Sequence, residues 1–333
     1  MKVGARLKYH SSTVKIIGMS AVVPDRVIDN MESCDDKKIK KFIKMTGIIK
    51  RHAIDFNKYN LVDLAVSAAE HTISKSGIDI SRIKYLVYIT QKAEFAGPST
   101  AFYVQKQLNL GIDCMVFDVN LGCSGFVAGL QIVSSLLNGM EDGSLALMIN
   151  AENMTSIIRE NKNDEMLFGD AATAVLLEKN TNFNEKFFGY YFSDGNRYDA
   201  IFQKDFSVPC HMDGQAVFEF SIYEVAEYLT SFLTENHLKD EDIDHVVFHQ
   251  AQKFIIDHLA SNAKLDVKKL LYSLDEYGNT SGTSIPLAIC KNIDLLKEKG
   301  RYLLSGFGVG LAWGISYIEI DKKNIFGVIK YDV

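Results

Sequence analysis

Hydrophobic and polar positions follow two different periods along this chain. From Leu61 to Ser76, apolar residues recur three and four positions apart, which predicts a helix that packs one face. The run KYLVYIT soon after it, and the run HVVFH in the second half of the chain, are short and rich in β-branched and aromatic residues. Such runs are typical of buried strands. Helices that alternate with buried strands predict a layered α/β protein.

The same order of elements occurs twice. The helical segment Leu61–Ser76 leads into DISRIKYLVYIT, and a second helical segment, Ile222–Asn236, leads into DEDIDHVVFHQ. The apolar strand positions of the two runs correspond at a constant offset. We therefore predict two copies of one α/β unit, residues 1–178 and 179–333, with the boundary after the strand-like AATAVLLE.

A second pair of segments supports the duplication. DVNLGCSG (118–125) matches DEYGNTSG (275–282), with Asp118 opposite Asp275. Each segment precedes a helix-like stretch, and Gly143 or Gly300 then leads into an apolar strand, LALMIN or YLLSGF. Because the order of elements repeats along with the residues, chance is a poor explanation.

Composition narrows the function. A chain of 333 residues with 47% apolar residues can build a sizeable core. The formal net charge of -6 argues against nucleic-acid binding, and an acidic carrier partner would need a local basic patch. The N-terminus lacks the apolar core of a signal peptide and no stretch reaches the length of a membrane span, so we expect a cytosolic protein.

The cysteines and histidines show no metal-ligand spacing. The five cysteines form no CxxC pair and leave an odd number, so the sequence suggests neither a zinc site nor a disulfide framework. An isolated cysteine is most often a small buried hydrophobic residue. These cysteines are Cys34, Cys114, Cys123, Cys210 and Cys290.

Cys123 differs from the others in its context, NLGCSGF. It lies between Gly122 and Gly125, after an apolar strand-like run and just before a helix predicted to begin near Ser124. Unpaired N–H groups and the helix dipole at that end favour a thiolate, so we expect a lowered thiol pKa. Small residues at a turn also serve plain packing, and this segment alone leaves both readings open.

Two positions in the second half favour the chemical reading. His249 ends the run HVVFH where the first copy has an apolar residue, although a core histidine bonded to a backbone carbonyl is the common alternative. Asn279 lies in YGNTSG beside the repeat counterpart of Cys123, although asparagine often serves as a turn or cap residue. If a pseudo-twofold axis relates the halves, all three side chains converge on one pocket.

Several motifs together resemble one family. GCSGF, HQA, GNTSG followed by IPLA, and GFGVGLAWG occur in the order found in the β-ketoacyl-acyl-carrier-protein synthase III family of the thiolase superfamily. KMTGIIKRH and LFGDAATAV extend the resemblance over nearly the whole chain. It implies a thiolase-like fold, in which two duplicated α/β halves form five layers, αβαβα. It also implies a cytoplasmic, homodimeric acyltransferase of fatty-acid biosynthesis that needs no metal or redox cofactor.

The resemblance assigns roles to the three residues. Cys123 would take an acyl primer as a thioester. His249, through a neutral Nε2–H, and Asn279, through its amide, would stabilise the enolate left when malonyl-carrier protein loses carbon dioxide. The backbone N–H groups of Cys123 and Val309 would form the oxyanion hole; Val309 stands where the family commonly has glycine, but a backbone donor survives that change.

The sequence departs from the family where coenzyme A would stack. The family's adenine-stacking Trp and Arg correspond to Lys41 and Lys162 in this chain. The Arg that usually precedes TG is Met45. The single tryptophan, Trp313, lies in the closing glycine loop, where we expect a structural role. The primer is therefore not assumed to be an acyl-CoA, and an acyl-carrier protein could donate it instead.

The acyl pocket also departs from the family pattern. In FAGPSTAF, Gly97 replaces a bulky residue that often closes the acyl pocket across the dimer interface, which favours a longer or branched primer unless Phe95 fills the space.

Carrier docking is predicted for a group of lysines. The Arg that follows HQANL in many relatives is Phe254 here, and the charge run could equally be an ordinary solvated face. The candidates are Lys253, Lys264, Lys268 and Lys269.

Alternative functions follow from the same residues. A specialised acyltransferase or thioester hydrolase on this fold would keep Cys123 and His249 without condensing. Papain-like hydrolases share the order Cys, His, Asn, but the duplication and GNTSG argue against them, and retention of Cys123 argues against a non-catalytic subunit.

Overall fold

A computed structural model describes residues 7–32, 37–157, 159–160 and 162–332. Two central sheets organise these residues. The first sheet has the spatial order β15 (Ile325–Lys330), β2 (Val14–Val23), β8 (Asp170–Lys179), β7 (Leu145–Asn153), β5 (Ile83–Ile89) and β6 (Met115–Val119). The second has the order β1 (Lys8–Ser11), β9 (Phe187–Ser193), β14 (Ala312–Asp321), β13 (Lys299–Gly308) and β12 (His245–Phe248).

The two sheets repeat one pattern of strand pairing. In the first sheet β7 is parallel to β5 and antiparallel to β8, which is antiparallel to β2. In the second sheet β13 is parallel to β12 and antiparallel to β14, which is antiparallel to β9. This correspondence matches the predicted duplication.

The terminal strands exchange sheets. Strand β1, from the N-terminal part, pairs with β9, whereas β15, from the C-terminal part, pairs with β2. Each half thus contributes one strand to the other's sheet, and the boundary at residue 178 stays a prediction.

The helices surround and separate the sheets. Their bounds are α1 (Lys37–Thr46), α2 (Leu61–Ser76), α3 (Thr100–Gln107), α4 (Gly125–Asn138), α5 (Lys162–Glu165), α6 (Gly214–Glu219), α7 (Ala226–Glu235), α8 (Lys253–Asn262), α9 (Leu274–Tyr277) and α10 (Ser284–Lys291). A π-helical segment, Phe220–Val225, joins α6 to α7. Two small antiparallel sheets of two strands each, β3 (Val27–Asp29) with β4 (Lys50–His52) and β10 (Ile201–Phe202) with β11 (His211–Met212), complete the described strands.

Side-chain alternation along the strands builds the layers. In β5, Val87 faces the central core with α4 and α10, while its neighbour Leu86 faces the outer core with α2 and α3. In β13, Leu304 faces the central core, and Leu303 faces the outer core with α7 and α8. The order of layers is therefore αβαβα, as predicted. Because α4 lies between both sheets, its residues from Gly125 to Gln131 are all buried, which explains its lack of a polar face.

Local signals fix the outer helices. In α2 the N–H of Asn60 donates to Asp63 at 2.8 Å, and Gly77 ends the helix in the left-handed region at φ 62°. The predicted bounds of α2 are confirmed. The second-half helix predicted over Ile222–Asn236 is instead divided between the π-helical segment and α7.

One part of the predicted repeat is wrong. Asp118 lies in β6 and accepts hydrogen bonds from the backbone N–H groups of Thr100 and Ala101 at 2.7 and 2.8 Å, which caps α3. Asp275 lies in helix α9 and pairs with Lys291 at 2.6 Å. The two aspartates therefore match in sequence without sharing a structural position.

Within the described ranges, none of the helices has both the length and the apolar character needed to cross a membrane. No cluster of three or more His, Cys, Asp or Glu residues suited to a metal ion occurs in that same part of the chain.

Candidate active site

The turns 120–124 and 279–283, related by the repeat, touch each other between the two sheets. The first turn closes through a hydrogen bond from Gly125 N–H to the Gly122 carbonyl at 2.7 Å. A Cβ on Gly282, in the second turn, would lie 2.9 Å from that same carbonyl oxygen. Glycine is thus required at Gly282 for close approach of two backbones. The structure brings the two turns together as the pseudo-twofold hypothesis expects.

The three residues proposed for catalysis line one cavity. Cys123, His249 and Asn279 border a cavity of about 770 Å³, and Val309 borders it as well. The exposed fractions are 9% for Cys123, 2% for His249 and 7% for Asn279. The site is therefore buried apart from the cavity itself, as small-molecule sites usually are.

The sulfur of Cys123 lies among hydrogen-bond donors and glycine backbone. Its Sγ is 3.6 Å from the Ser281 hydroxyl, and the backbone N–H groups of Val309 and of Cys123 itself also face the sulfur. A Cβ on Gly308, whose φ is 154°, would lie 2.8 Å from the Cβ of Cys123. The predicted pair of oxyanion-hole donors is thus grouped around the nucleophile.

The predicted lowering of the thiol pKa is wrong. Burial raises the pKa of the Cys123 thiol above its usual value, and this outweighs the Ser281 hydroxyl and the Val309 and Cys123 N–H groups, which lower it. The physical reason is desolvation, since a thiolate loses more hydration in the closed site than the start of α4 restores. Deprotonation of Cys123 therefore needs help from outside the helix dipole.

His249 is held neutral. Burial lowers its pKa to about 4, against a smaller opposing effect from the backbone carbonyl of Ser281. Its Nδ1 lies 2.9 Å from the Ser284 hydroxyl, whose oxygen accepts a 3.3 Å hydrogen bond from Gln250 N–H. Nδ1 is thus occupied by the Ser284 hydroxyl, which leaves Nε2 as the ring nitrogen open to the cavity. Donation into the cavity requires the tautomer that carries its proton on Nε2.

The side chain of Asn279 is oriented by its neighbour. Its Oδ1 accepts the Ser281 N–H at 2.9 Å, so its amide NH₂ is left to donate. The Asn279 backbone exchanges hydrogen bonds with Leu167 and Gly169, at 2.8 and 3.1 Å. This couples the LFGDAATAV segment of the first half to the asparagine of the second half.

Sequence reasoning missed the polar residues behind the nucleophile. Ser281 bridges the cysteine to Glu152, with its Oγ 3.2 Å from the Glu152 Oε1, and it accepts a hydrogen bond from Gln91 Nε2 at 2.7 Å. Two signals could have identified them. Ser281 lies in the GNTSG motif, and Glu152 interrupts an otherwise uncharged, buried strand, LALMINAEN.

The predicted acyl-pocket residue lies elsewhere. Gly97 does not line the cavity that contains Cys123, and a Cβ there would meet no atom of the described chain within 4 Å. Phe95 is 38% exposed and its ring lies 5.7 Å from that of Tyr103. A role for Gly97 across a dimer interface stays a prediction.

The structure describes some of the residues that replace the family's adenine-stacking pair. Lys41 is exposed on α1, whereas the side chain of Lys162 lies outside the described part of the structure, as does Cys34. Trp313 is 4% exposed and packs against Phe192 and Phe220, with ring centroids 5.3 Å away in each case, as expected of a structural residue.

The predicted docking lysines fall into two pairs. Lys253 pairs with Asp257 and Lys269 with Asp240, each at 2.6 Å, so their charges are partly neutralised. Lys264 and Lys268 are exposed, and neither forms an ion pair with another residue in the described ranges. The unneutralised basic charge of this group is therefore concentrated on Lys264 and Lys268.

Comparisons with known proteins agree with this geometry. Family models match residues 117–195, described as 3-oxoacyl-[acyl-carrier-protein (ACP)] synthase III, and residues 233–320, described as the C-terminal part of the same enzyme. The chain is 31% identical over 319 residues to a β-ketoacyl-[acyl-carrier-protein] synthase III of Coxiella burnetii, covering 92% of this chain and 99% of the relative. The corresponding protein of Acholeplasma laidlawii is 30% identical, with coverage of 92% and 98%.

Solved structures are similar over the same extent. A 3-oxoacyl-(acyl-carrier protein) synthase of Burkholderia xenovorans superposes with a TM-score of 0.91 at 27% identity, covering 98% of this chain and 99% of that one. A 3-oxoacyl-(acyl carrier protein) synthase III of Pseudomonas aeruginosa gives 0.83 at 28% identity, with coverage of 93% and 98%. By sequence and by fold, the chain belongs to the 3-oxoacyl-[acyl-carrier-protein] synthase III family.

Proposed function

We propose that this protein catalyses decarboxylative condensation of a Cys123-bound acyl primer with malonyl-acyl-carrier protein, in fatty-acid or related acyl-chain synthesis. The observation that carries the proposal is the shared cavity, onto which a thiol, a neutral imidazole and an oriented amide all open. The names of the relatives support the same reaction.

In the first step the Cys123 sulfur attacks the thioester carbonyl of the acyl donor. The Cys123 S–H bond breaks as the new S–C bond forms, the donor's C–S bond breaks, and its thiolate leaves and takes up a proton that balances the one Cys123 releases. The negative charge that develops on the carbonyl oxygen is stabilised by the N–H groups of Cys123 and Val309. Two preorganised backbone donors cost no side-chain ordering during the reaction.

In the second step malonyl-carrier protein loses carbon dioxide. His249 Nε2–H and the Asn279 amide donate to the thioester oxygen, where the enolate charge develops. Because His249 is neutral, it donates without itself losing a proton. The enolate carbon then bonds to the acyl carbon, the Cys123 S–C bond breaks, and a 3-oxoacyl-carrier product leaves. The reaction balances without a metal or a redox cofactor.

The cavity supports an apolar primer attached to a long arm. Much of its wall comes from the segment 198–221, including Ile201, Phe202, Val217 and Phe218, and its volume lies in the usual range for small-molecule sites. The proposal includes both acyl-CoA and acyl-carrier protein as donors.

The same proposal includes two protein partners. Lys264 and Lys268 give the chain an unneutralised basic surface suited to an acidic carrier protein. A second copy of the chain is expected at β6, an edge strand of the first sheet, where Met115 is 61% exposed and Phe102 of the adjacent α3 is 51% exposed. An apolar, unpaired sheet edge favours association with another chain.

Separate assays of the two half-reactions test the proposal. We expect Cys123→Ala to lose acylation while it still decarboxylates malonyl-carrier protein. Asn279→Ala should acylate but lose decarboxylation by about 10²-fold or more, the usual cost of removing one such donor. Acylated wild type that only hydrolyses its thioester, or transfers the acyl group to a non-malonyl acceptor, would refute condensation in favour of the hydrolase or acyltransferase alternative.

A further inference from the structure

A buried carboxylate behind the nucleophile has no part in the reaction described above. Glu152, in β7, is 1% exposed. No lysine or arginine in the described ranges forms an ion pair with it. Buried carboxylates are costly unless they are paired, bonded or protonated. With no ion pair, the stability and the protonation of Glu152 depend on its hydrogen bonds with Gln91, Ser281 and Gly282.

Ser281 connects Glu152 to the sulfur, and Gln91 donates hydrogen bonds to both Ser281 and Glu152. Ser281 Oγ lies 3.2 Å from Glu152 Oε1 and 3.6 Å from Cys123 Sγ. Gln91 donates twice, from its Nε2 to Ser281 Oγ at 2.7 Å and from its backbone N–H to Glu152 Oε2 at 3.3 Å. The cysteine, the serine and the carboxylate therefore form a continuous chain of contacts.

The hydrogen bonds that link Cys123, Ser281 and Glu152 all run in one direction. The Gln91 NH₂ group can only donate, so the Ser281 oxygen accepts from it. The single hydroxyl proton of Ser281 then points to Glu152, and its second lone pair is left for the Cys123 thiol. The order S–H to Oγ–H to carboxylate is the order that a proton relay requires.

The backbone of Ser281 holds this geometry at a cost. Its φ of 52° lies in the left-handed region, which non-glycine residues rarely adopt. Strained residues of this kind concentrate at functional sites. The same residue also fixes Asn279 through its N–H, so one serine links both halves of the catalytic machinery.

We propose that Glu152 accepts the Cys123 proton through the Ser281 hydroxyl as the thiol attacks the acyl donor. The inference rests on the proposed role of Cys123 as nucleophile. The S–H bond of Cys123 breaks as its S–C bond forms, Ser281 passes its own proton to Glu152, and the leaving pantetheine thiolate is protonated from solvent. During condensation the Cys123 sulfur is released as thiolate, and Glu152 returns the proton by the same route.

The surrounding charges are consistent with this role. Burial raises the pKa of Glu152 well above that of an ordinary carboxyl group and toward that of a thiol, so Glu152 and Cys123 can share a single proton. Among the other titratable groups, Arg159 lowers the Cys123 pKa, Tyr88 on β5 is coupled by charge to Glu152, and the neutral ring of His249 borders the same cavity as the thiol. None of these has the hydroxyl bridge that connects Glu152 to the sulfur.

The pH dependence of Cys123 alkylation tests the relay. If Glu152 shares the thiol proton, wild-type alkylation by iodoacetamide should be nearly constant from pH 6 to 8. In Glu152→Gln and Ser281→Ala the rate should instead rise about tenfold per pH unit, because the thiol must ionise to solvent. We expect both variants to be at least about tenfold slower than wild type at pH 6.5 and to approach it near pH 9.5. Glu185→Gln, at another buried carboxylate, is the matched control and should keep the plateau.

Two results would overturn the relay. One is an alkylation rate of Glu152→Gln at pH 6.5 that equals or exceeds the wild-type rate, because the carboxylate would then only repel the thiolate. The other is a slowing that is equal at every pH, which marks a packing role. Ser281→Ala keeps the test decisive if Glu152→Gln fails to fold. A plateau lost in the variants supports the relay even if no acyl donor loads Cys123, so failure of the proposed condensation is recognised separately.

Discussion

Burial of His249 makes the free energy of unfolding depend on pH, by an amount that follows from its pKa. Its pKa of about 4 in the folded chain lies below the usual 6.5, so the unfolded chain binds a proton at mildly acidic pH that the folded chain does not. Stability from this residue is fully present above pH 6.5 and is lost as the pH falls toward 4. With 1.36 kcal/mol per pKa unit, the full loss is about 3 kcal/mol, most of it by pH 4.5.

The prediction is tested with His249→Gln, which keeps a polar side chain that does not titrate. Unfolding in urea should be followed at pH 7.5 and pH 4.5 at one protein concentration, since association changes apparent stability. We expect wild type to lose about 2 to 3 kcal/mol more than the variant between the two pH values. His10→Gln, at an exposed histidine, should behave as wild type. Equal acid losses in wild type and His249→Gln, within about 0.5 kcal/mol, would refute the conclusion that burial holds His249 neutral.

Three further predictions concern geometry and partners. Gly308→Ala places a Cβ 2.8 Å from the Cβ of Cys123, so single-turnover acylation should slow by about 10²-fold, whereas Gly195→Ala, with open space around it, should acylate normally. The double variant Lys264→Glu, Lys268→Glu should raise the KM for malonyl-carrier protein several-fold and leave kcat nearly unchanged. The increase in KM should become smaller in high salt, and an increase that does not depend on salt would argue against docking at these lysines. Met115→Glu should shift sedimentation toward monomer, and an unchanged profile would exclude the β6 edge as the interface.

The elements were predictable where the information is local. The bounds of α2 follow from its apolar periodicity, and the β5 and β12 strands follow from short apolar runs. The convergence of Cys123 and Asn279 on one cavity followed from the repeat.

What could not be predicted depends on burial and on distant contacts. The helix start at Cys123 suggested a lowered thiol pKa, but desolvation, which only the assembled sheets create, reverses the direction. Asp118 and Asp275 match in sequence, yet one caps α3 and the other pairs with Lys291. The link from Ser281 to Glu152 spans the two halves, so no local pattern reveals it.

The central claim is that the acyl group passes through Cys123. Purified protein should be mixed with acyl-CoA or with acylated carrier protein, and its intact mass should be measured by mass spectrometry. Malonyl-carrier protein should then be added as a chase. The account predicts that the acyl mass appears on Cys123, is absent from Cys123→Ala, and moves into a 3-oxoacyl-carrier product during the chase. A 3-oxoacyl product formed equally well by Cys123→Ala, or no acylation of Cys123 by any donor, would contradict it.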